Sequence, residues 1–147
     1  MTIKPISVFE ILDCPALLAE YAAECSIPAI GEINPQRDLY GKLEKNGALK
    51  CFGAFNGKEL VGFNNVLAYV LPHYGKTIAT VESLFVAGAH RHISAGKSLM
   101  GIGESYSRRV GCAGILYSAP AGGKLEQLLD TKPEYQRTNA VFFRGLL

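Results

Sequence analysis

Apolar positions along this chain follow two periods, one near 3.6 residues and one near 2, and the switches between them divide it into elements. Residues 3 to 10 are mostly apolar or β-branched and predict a short first strand, after which Asp13 and Pro15 have the form of a helix N-cap and first turn. In ALLAEYAAEC the residues Leu17, Leu18, Tyr21, Ala22 and Cys25 recur at three- and four-residue steps. They share one helical face and leave Glu20 and Glu24 outside. Two prolines and a glycine in IPAIGEINPQ end that helix, in a loop placed to cover a binding site, and a short helix from Arg37 to Lys45 stops at Asn46-Gly47.

The period then shortens. ALKCFGAF, the turn Asn56-Gly57 and ELVGFNNVLAYVL predict an antiparallel hairpin. After the bend from Pro72 to Lys76, TIATVESLFV is a third apolar run whose only charge is Glu82. A loop of small and basic residues, Gly88 to Gly96, leads into a helix through KSLMGIGESYSRRV, with Leu99, Ile102, Tyr106 and Val110 on one face. The strand AGILYSA, a helix from Lys124 to Leu129 and a last strand through NAVFFRGLL complete the order βααβββαβαβ.

Composition narrows the class. Hydrophobic residues at 48% and charged residues at 19% predict a packed core and exclude a disordered or coiled-coil chain. The length of 147 residues, with no linker or repeat, predicts a single domain spanning 1–147. A formal charge of only +2 is far from that of a chain that wraps nucleic acid, so any anionic ligand needs a local site. Cys14, Cys25, Cys51 and Cys112 lie apart without a C-x-x-C pair and are expected to be buried, reduced thiols. Glu10 and Asp13 interrupt any apolar leader, and no run is long enough to span a membrane, which predicts a cytoplasmic protein with no membrane partner.

The strand, basic loop, helix order carries the chemistry. A helix N-terminus presents unpaired backbone N–H groups and the positive end of the helix dipole, an arrangement that binds phosphates. In HRHISAGKS, Arg91 and Lys97 add charge, Ala95 and Gly96 let the backbone approach a ligand, and Ser94 or Ser98 offers a hydroxyl. Gly96-Lys97-Ser98 matches the end of a Walker A loop, but Arg91 stands where that loop requires glycine. His90 and His92 have no third ligand nearby, and no metal site is expected.

The segment SLFVAGAHRHISAGKSLM resembles motif A of the GNAT superfamily of acyl-CoA-dependent N-acetyltransferases. That motif reads Arg or Gln, two residues, Gly, one residue, Gly or Ala; this chain has Arg91, His92, Ile93, Ser94, Ala95 and Gly96, with Ser94 in place of the first glycine. The order of elements from Ile3 to Leu146 is similar to the family's across nearly the whole chain. The resemblance implies an α/β fold with a mixed, mostly antiparallel sheet flanked by helices, whose central strands splay apart to admit the pantetheine arm of acetyl-CoA. It implies further that backbone near Leu84, Phe85 and Val86 pairs with that arm, while Arg91, His92, Ser94, Ala95, Gly96 and Lys97 surround the pyrophosphate.

On the same resemblance, acetyl-CoA is the co-substrate of an N-acetyltransferase, and Glu82 takes the proton of a primary amine as it attacks the thioester. The family's usual tyrosine acid has no counterpart: Leu129 and Asp130 occupy its approximate place, Tyr135 falls at the following phenylalanine, and Tyr117 is the nearest substitute, with solvent as the other proton source. His73, Tyr74, Glu32 and Asn34 are loop candidates for binding the acceptor, which is a small molecule or a peptide amine. Two other functions stay open, a non-catalytic acyl-CoA-binding module and a small nucleotide-binding regulator. Exposed sheet edges are compatible with a homodimer.

Overall fold

The computed structural model describes residues Met1–Leu147, the side chain of Ile93 excepted. The chain runs β1 (Thr2–Ile6), α1 (Val8–Leu12), α2 (Pro15–Cys25), α3 (Arg37–Lys45), β2 (Leu49–Asn56), β3 (Glu59–Leu71) and β4 (Lys76–Val86). A 3-10 turn at Gly88–Ile93 then leads to α4 (Ala95–Arg109), β5 (Ile115–Tyr117) and α5 (Lys124–Asp130). The five strands lie in sequence order, antiparallel except for the parallel pair β4 and β5.

Two apolar clusters hold the layers together. On one sheet face, Val8, Ile11 and Leu17 from α1 and α2 pack with Leu49, Cys51, Phe63 and Phe85, and Tyr40 and Leu43 of α3 close over them. On the other, Ala95 and Leu99 of α4 pack on Phe52, Val61, Val66 and Ala79. The face that α4 buries runs along Ala95, Leu99, Gly103 and Ser107, a ridge of four-residue steps, and Val110 is exposed. Of the expected face, Leu99 is buried and Ile102 and Tyr106 pack against the same cluster, while Val110 does not; the small residues let the helix sit close to the sheet, where a Cβ on Gly103 would come within 2.6 Å of Asn64 Nδ2.

The N-terminal expectation of one strand from 3 to 10 is corrected. The strand ends at Ile6, and Ser7 starts a helix, because Ser7 Oγ accepts from Phe9 N (3.3 Å) while Glu10 Oε2 accepts from Ser7 N (2.9 Å). The capping pattern Ser7-x-x-Glu10 outweighs the strand propensity of the run. Glu44 of α3 reinforces it by accepting from Ser7 Oγ (2.9 Å) and Val8 N (2.8 Å). Asp13 consequently closes α1, and Cys14 precedes Pro15 at the start of α2.

The last expected strand is also corrected. Residues 139–147 form no strand, with Val141 and Phe142 88% and 92% exposed. An apolar run becomes a strand only beside an edge that can pair with it, and β5 spans just three residues before Ser118 to Gly123 turn away. All four cysteines are free, but only Cys51 is buried; the other three are partly exposed. Among the described residues, no helix is long and apolar enough to cross a membrane.

Candidate active site

The centre of the site is an irregularity in β4. Asn65 lies opposite Ser83 and Val66 opposite Val81, so Glu82 is an extra residue with no partner on β3. A bulge of this kind reverses the alternation of side chains beyond it. Ala79, before the bulge, packs in the cluster under α4, whereas Phe85, after it, packs in the cluster under α1–α3. Glu82 and Ser83, though adjacent, therefore serve the same face, and both line one cavity.

Pairing between β4 and β5 covers only Ala79 to Val81, opposite Ile115 to Tyr117. Beyond Val81, among the described residues, no strand pairs with the far edge of β4, and β5 ends at Tyr117, which leaves a gap there. Ala87 N donates to Val61 O on the β3 side. By alternation, Phe85 turns its backbone groups toward β3, while Leu84 and Val86 turn theirs toward the gap. Arg91 confirms the direction at Val86, since its Nε donates to Val86 O (2.8 Å).

The gap leads to the N-terminus of α4. Ser94, just before the helix, is in the left-handed conformation (φ 54°, ψ 15°), the one non-glycine at positive φ among the described residues. It stands where the motif of the resemblance has glycine, the residue that adopts this conformation without a Cβ penalty. Among the described residues no side chain caps α4, so the N–H groups of Ala95, Gly96 and Lys97 are open to a ligand. His92 and Lys97 are exposed and form no ion pair among the described residues.

Arg91 is engaged differently. Beyond Val86 O, it pairs with Glu24 (2.7 Å) and lies over the Phe85 ring. Glu20, one turn earlier in α2, accepts from Gly88 N (2.7 Å). The two carboxylates that periodicity puts outside α2 thus anchor the basic loop to the helix.

Proton-bearing groups converge on Glu82. Tyr40 O–H donates to Oε1 (2.6 Å), Ser83 Oγ donates to Oε2 (2.7 Å), and Asn65 Nδ2 donates to Ser83 Oγ (2.9 Å). Burial, the hydrogen bond to Glu82 and its charge all push the Tyr40 hydroxyl above its ordinary range, so it holds its proton. Burial first, then Glu82, pushes Tyr21 up to about 12.

The cavity beside this network has a volume of about 430 Å³, within the usual range for small-molecule sites. Ile33, Asn34, Pro35 and Gln36 from the loop after α2 form part of its wall, as that loop's predicted covering role requires. Of the four loop candidates for acceptor binding, Asn34 lines the cavity; Glu32, His73 and Tyr74 do not. His73 and Tyr74 lie against each other at the turn between β3 and β4, with ring centroids 4.3 Å apart and planes tilted by 41°.

Tyr117 lies outside this network. Its hydroxyl donates to Glu104 Oε1 (2.9 Å) on α4, and Tyr135 donates to the same oxygen (2.6 Å). Burial and Glu104 raise both hydroxyls above their ordinary range.

Tyr40, Asn65 and Ser83 escaped sequence reasoning. The detectable signal was the pair Asn64-Asn65 in the middle of an apolar strand, because a buried amide needs partners.

No protein-family model and no curated protein sequence matches the chain. Solved structures do. The ribosomal-protein-alanine N-acetyltransferase of Brucella melitensis biovar Abortus 2308 superposes over 100% of both chains, with a TM-score of 0.72 and 18% identity. An aminoglycoside acetyltransferase from an uncultured soil metagenomic sample, in complex with trehalose, matches 99% of this chain and 96% of its own, with a TM-score of 0.77 and 18% identity. The aminoglycoside acetyltransferase AAC(6')-Iy, in complex with the bisubstrate analog CoA-S-monomethyl-acetylneamine, matches 98% and 96%, with a TM-score of 0.72 and 15% identity. The chain has the GNAT acetyltransferase fold, with the mixed, mostly antiparallel sheet that the resemblance implied.

Proposed function

We propose that this protein transfers the acetyl group of acetyl-CoA to a primary amine. The observation that carries the reading is the gap beside β4: it opens at Glu82, runs along the edge of Leu84 and Val86 that β3 leaves unpaired, and leads to the N-terminus of α4, which no side chain caps among the described residues. The bisubstrate analog bound by a structural neighbour supports coenzyme A as the carrier.

In this reading, Leu84 and Val86 pair with the pantetheine arm, and Phe85 supports them from the core. The N–H groups of Ala95, Gly96 and Lys97 receive the pyrophosphate, with His92 and Lys97 adding charge and the Ser94 hydroxyl a further donor. Arg91 holds the loop in shape through Val86 O and Glu24. The neutral amine attacks the thioester carbonyl, a C–N bond forms, the C–S bond breaks, and Glu82 takes the proton that the nitrogen releases. Tyr117 keeps its proton, which it donates in a hydrogen bond to Glu104, and the coenzyme A thiolate takes one from solvent.

Thermal unfolding with acetyl-CoA, coenzyme A or Mg-ATP tests this first. A ligand at 100 times its Kd stabilises by about 2.7 kcal/mol, which raises the midpoint by several degrees. The expected result is a rise with acetyl-CoA, none with Mg-ATP, and thiol release on adding a primary amine. Binding without thiol release across a broad amine panel makes the protein a non-catalytic acyl-CoA-binding module; a response to Mg-ATP alone makes it a nucleotide-binding regulator.

A further inference from the structure

Asn65 is 3% exposed, lines the cavity, and has a buried Oδ1 with no hydrogen-bond partner among the described residues. Its orientation follows from the chain of donors. Glu82, as a carboxylate, only accepts, so the Ser83 hydroxyl spends its single hydrogen on Oε2. Ser83 Oγ can then only accept from Asn65, which must present Nδ2 to it. Flipping the amide would set two acceptors against one hydroxyl hydrogen. The carbonyl end is thereby left unpaired and buried in a residue that lines the cavity, and a buried carbonyl without a donor is unfavourable until one arrives.

The remaining wall is mostly aliphatic, with Ile11, Leu12, Leu18, Leu39, Leu43 and Leu67 among its residues. It contains one carboxylate, Glu82, and no lysine or arginine. A second cationic group in the occupant would be buried against hydrocarbon with no counter-charge, at high cost.

Resting on the acetyltransferase reading, the geometry points to an acceptor with one primary amine on an apolar body, whose nitrogen is aimed by Asn65. One amine N–H donates to Asn65 Oδ1, the other faces Glu82, and the lone pair is left for the thioester carbon. Asn65 is a positioning residue in this scheme: it binds the nucleophile and exchanges no proton with it. Polyamines and aminoglycosides carry further cationic amines for which the wall has no carboxylate besides Glu82, although Tyr21, Asn34, Gln36 and Tyr40 offer it hydroxyl and amide groups.

The experiment measures acetyl-CoA binding by calorimetry and, separately, thiol release with phenethylamine, hexylamine, spermidine and kanamycin. With acetyl-CoA bound, kcat/KM for the two apolar monoamines is expected to exceed that for the two polycations at least tenfold. Asn65→Leu, with the same branched set of four side-chain heavy atoms, is expected to raise KM for phenethylamine about tenfold and leave acetyl-CoA affinity unchanged. A faster reaction with spermidine or kanamycin, or no turnover of either monoamine, overturns the substrate class while acetyl-CoA binding stands. An unchanged KM in a folded Asn65→Leu overturns the role of Asn65. If that variant does not fold, the amine ranking of the unaltered protein still decides the substrate class. Loss of acetyl-CoA binding in the unaltered protein is a separate failure, of the acetyltransferase reading itself, and this inference falls with it.

Discussion

Asn64 and Asn65 are neighbours on β3 with opposite fates. Asn64 turns toward α4, where Nδ2 donates to Leu99 O (2.8 Å) in a face filled by Gly103 and Val66. Asn65 turns toward α1–α3, joins the network that ends at Glu82, and borders a cavity. Both leave a buried Oδ1 unpaired among the described residues, and Asn65 is the one of the two that lines the cavity beside Glu82. The same side chain fixes a helix on one face of the sheet and lines a candidate site on the other. Packing, and not residue type, separates structural from functional polarity here.

The contrast is most exposed at Glu82. Glu82→Gln removes the proposed proton acceptor on the cavity face and should lower turnover by at least about a hundredfold, the ordinary contribution of a general base. Acetyl-CoA affinity, measured by calorimetry, should be unchanged. Equal turnover would remove chemistry from that face.

Gly103→Ala tests the other face. Its Cβ would collide with the Asn64 amide, which is buried and hydrogen-bonded, so a loss of about 1–3 kcal/mol is expected, read as a lower unfolding midpoint. The KM for amine should not move; a large change would mean that the two faces are coupled.

Cys51 lies buried beneath the cavity face, where burial, more than nearby Glu44 and Glu82, pushes its thiol from 9.0 up to about 12. The folded state holds this proton more tightly than the unfolded state. Its stabilisation is therefore complete below about pH 9 and is lost as pH rises toward 12, with a slope of at most about 1.4 kcal/mol per pH unit. Unfolding midpoints between pH 8 and 10 should fall in the native protein and fall less steeply in Cys51→Ala.

Ser94→Gly has the smallest effect and the opposite sign. Relief of the left-handed conformation, set against the entropy of glycine, should stabilise by roughly 0.5–1 kcal/mol. Acetyl-CoA binding to the same variant separates backbone from hydroxyl, because an affinity loss would show that Ser94 itself contacts the ligand.

Much of the fold was legible because its signals are local. The hairpin from Ala48 to Leu71, the lone charge of Glu82 on an apolar strand, and the strand, loop, helix order around Arg91 all follow from periodicity and turn residues. The last strand was misjudged because NAVFFRGLL has the pattern but no edge to join. The start of α1 was misjudged for the converse reason, a local cap between Ser7 and Glu10 that outweighs an apolar run.

The site divides in the same way. Sequence alone determined that the chain needs a core, that Glu82 stands in a strand, and that small and basic residues open the helix at Ala95. Only the tertiary structure decided that an extra residue in β4 turns Glu82 and Ser83 onto one face, and that Tyr40, 42 residues away, donates to Glu82. Periodicity reports which side of an element is apolar. A bulge changes that side partway along a strand, and hydrogen bonds between distant elements depend on how their faces meet, which no local pattern encodes.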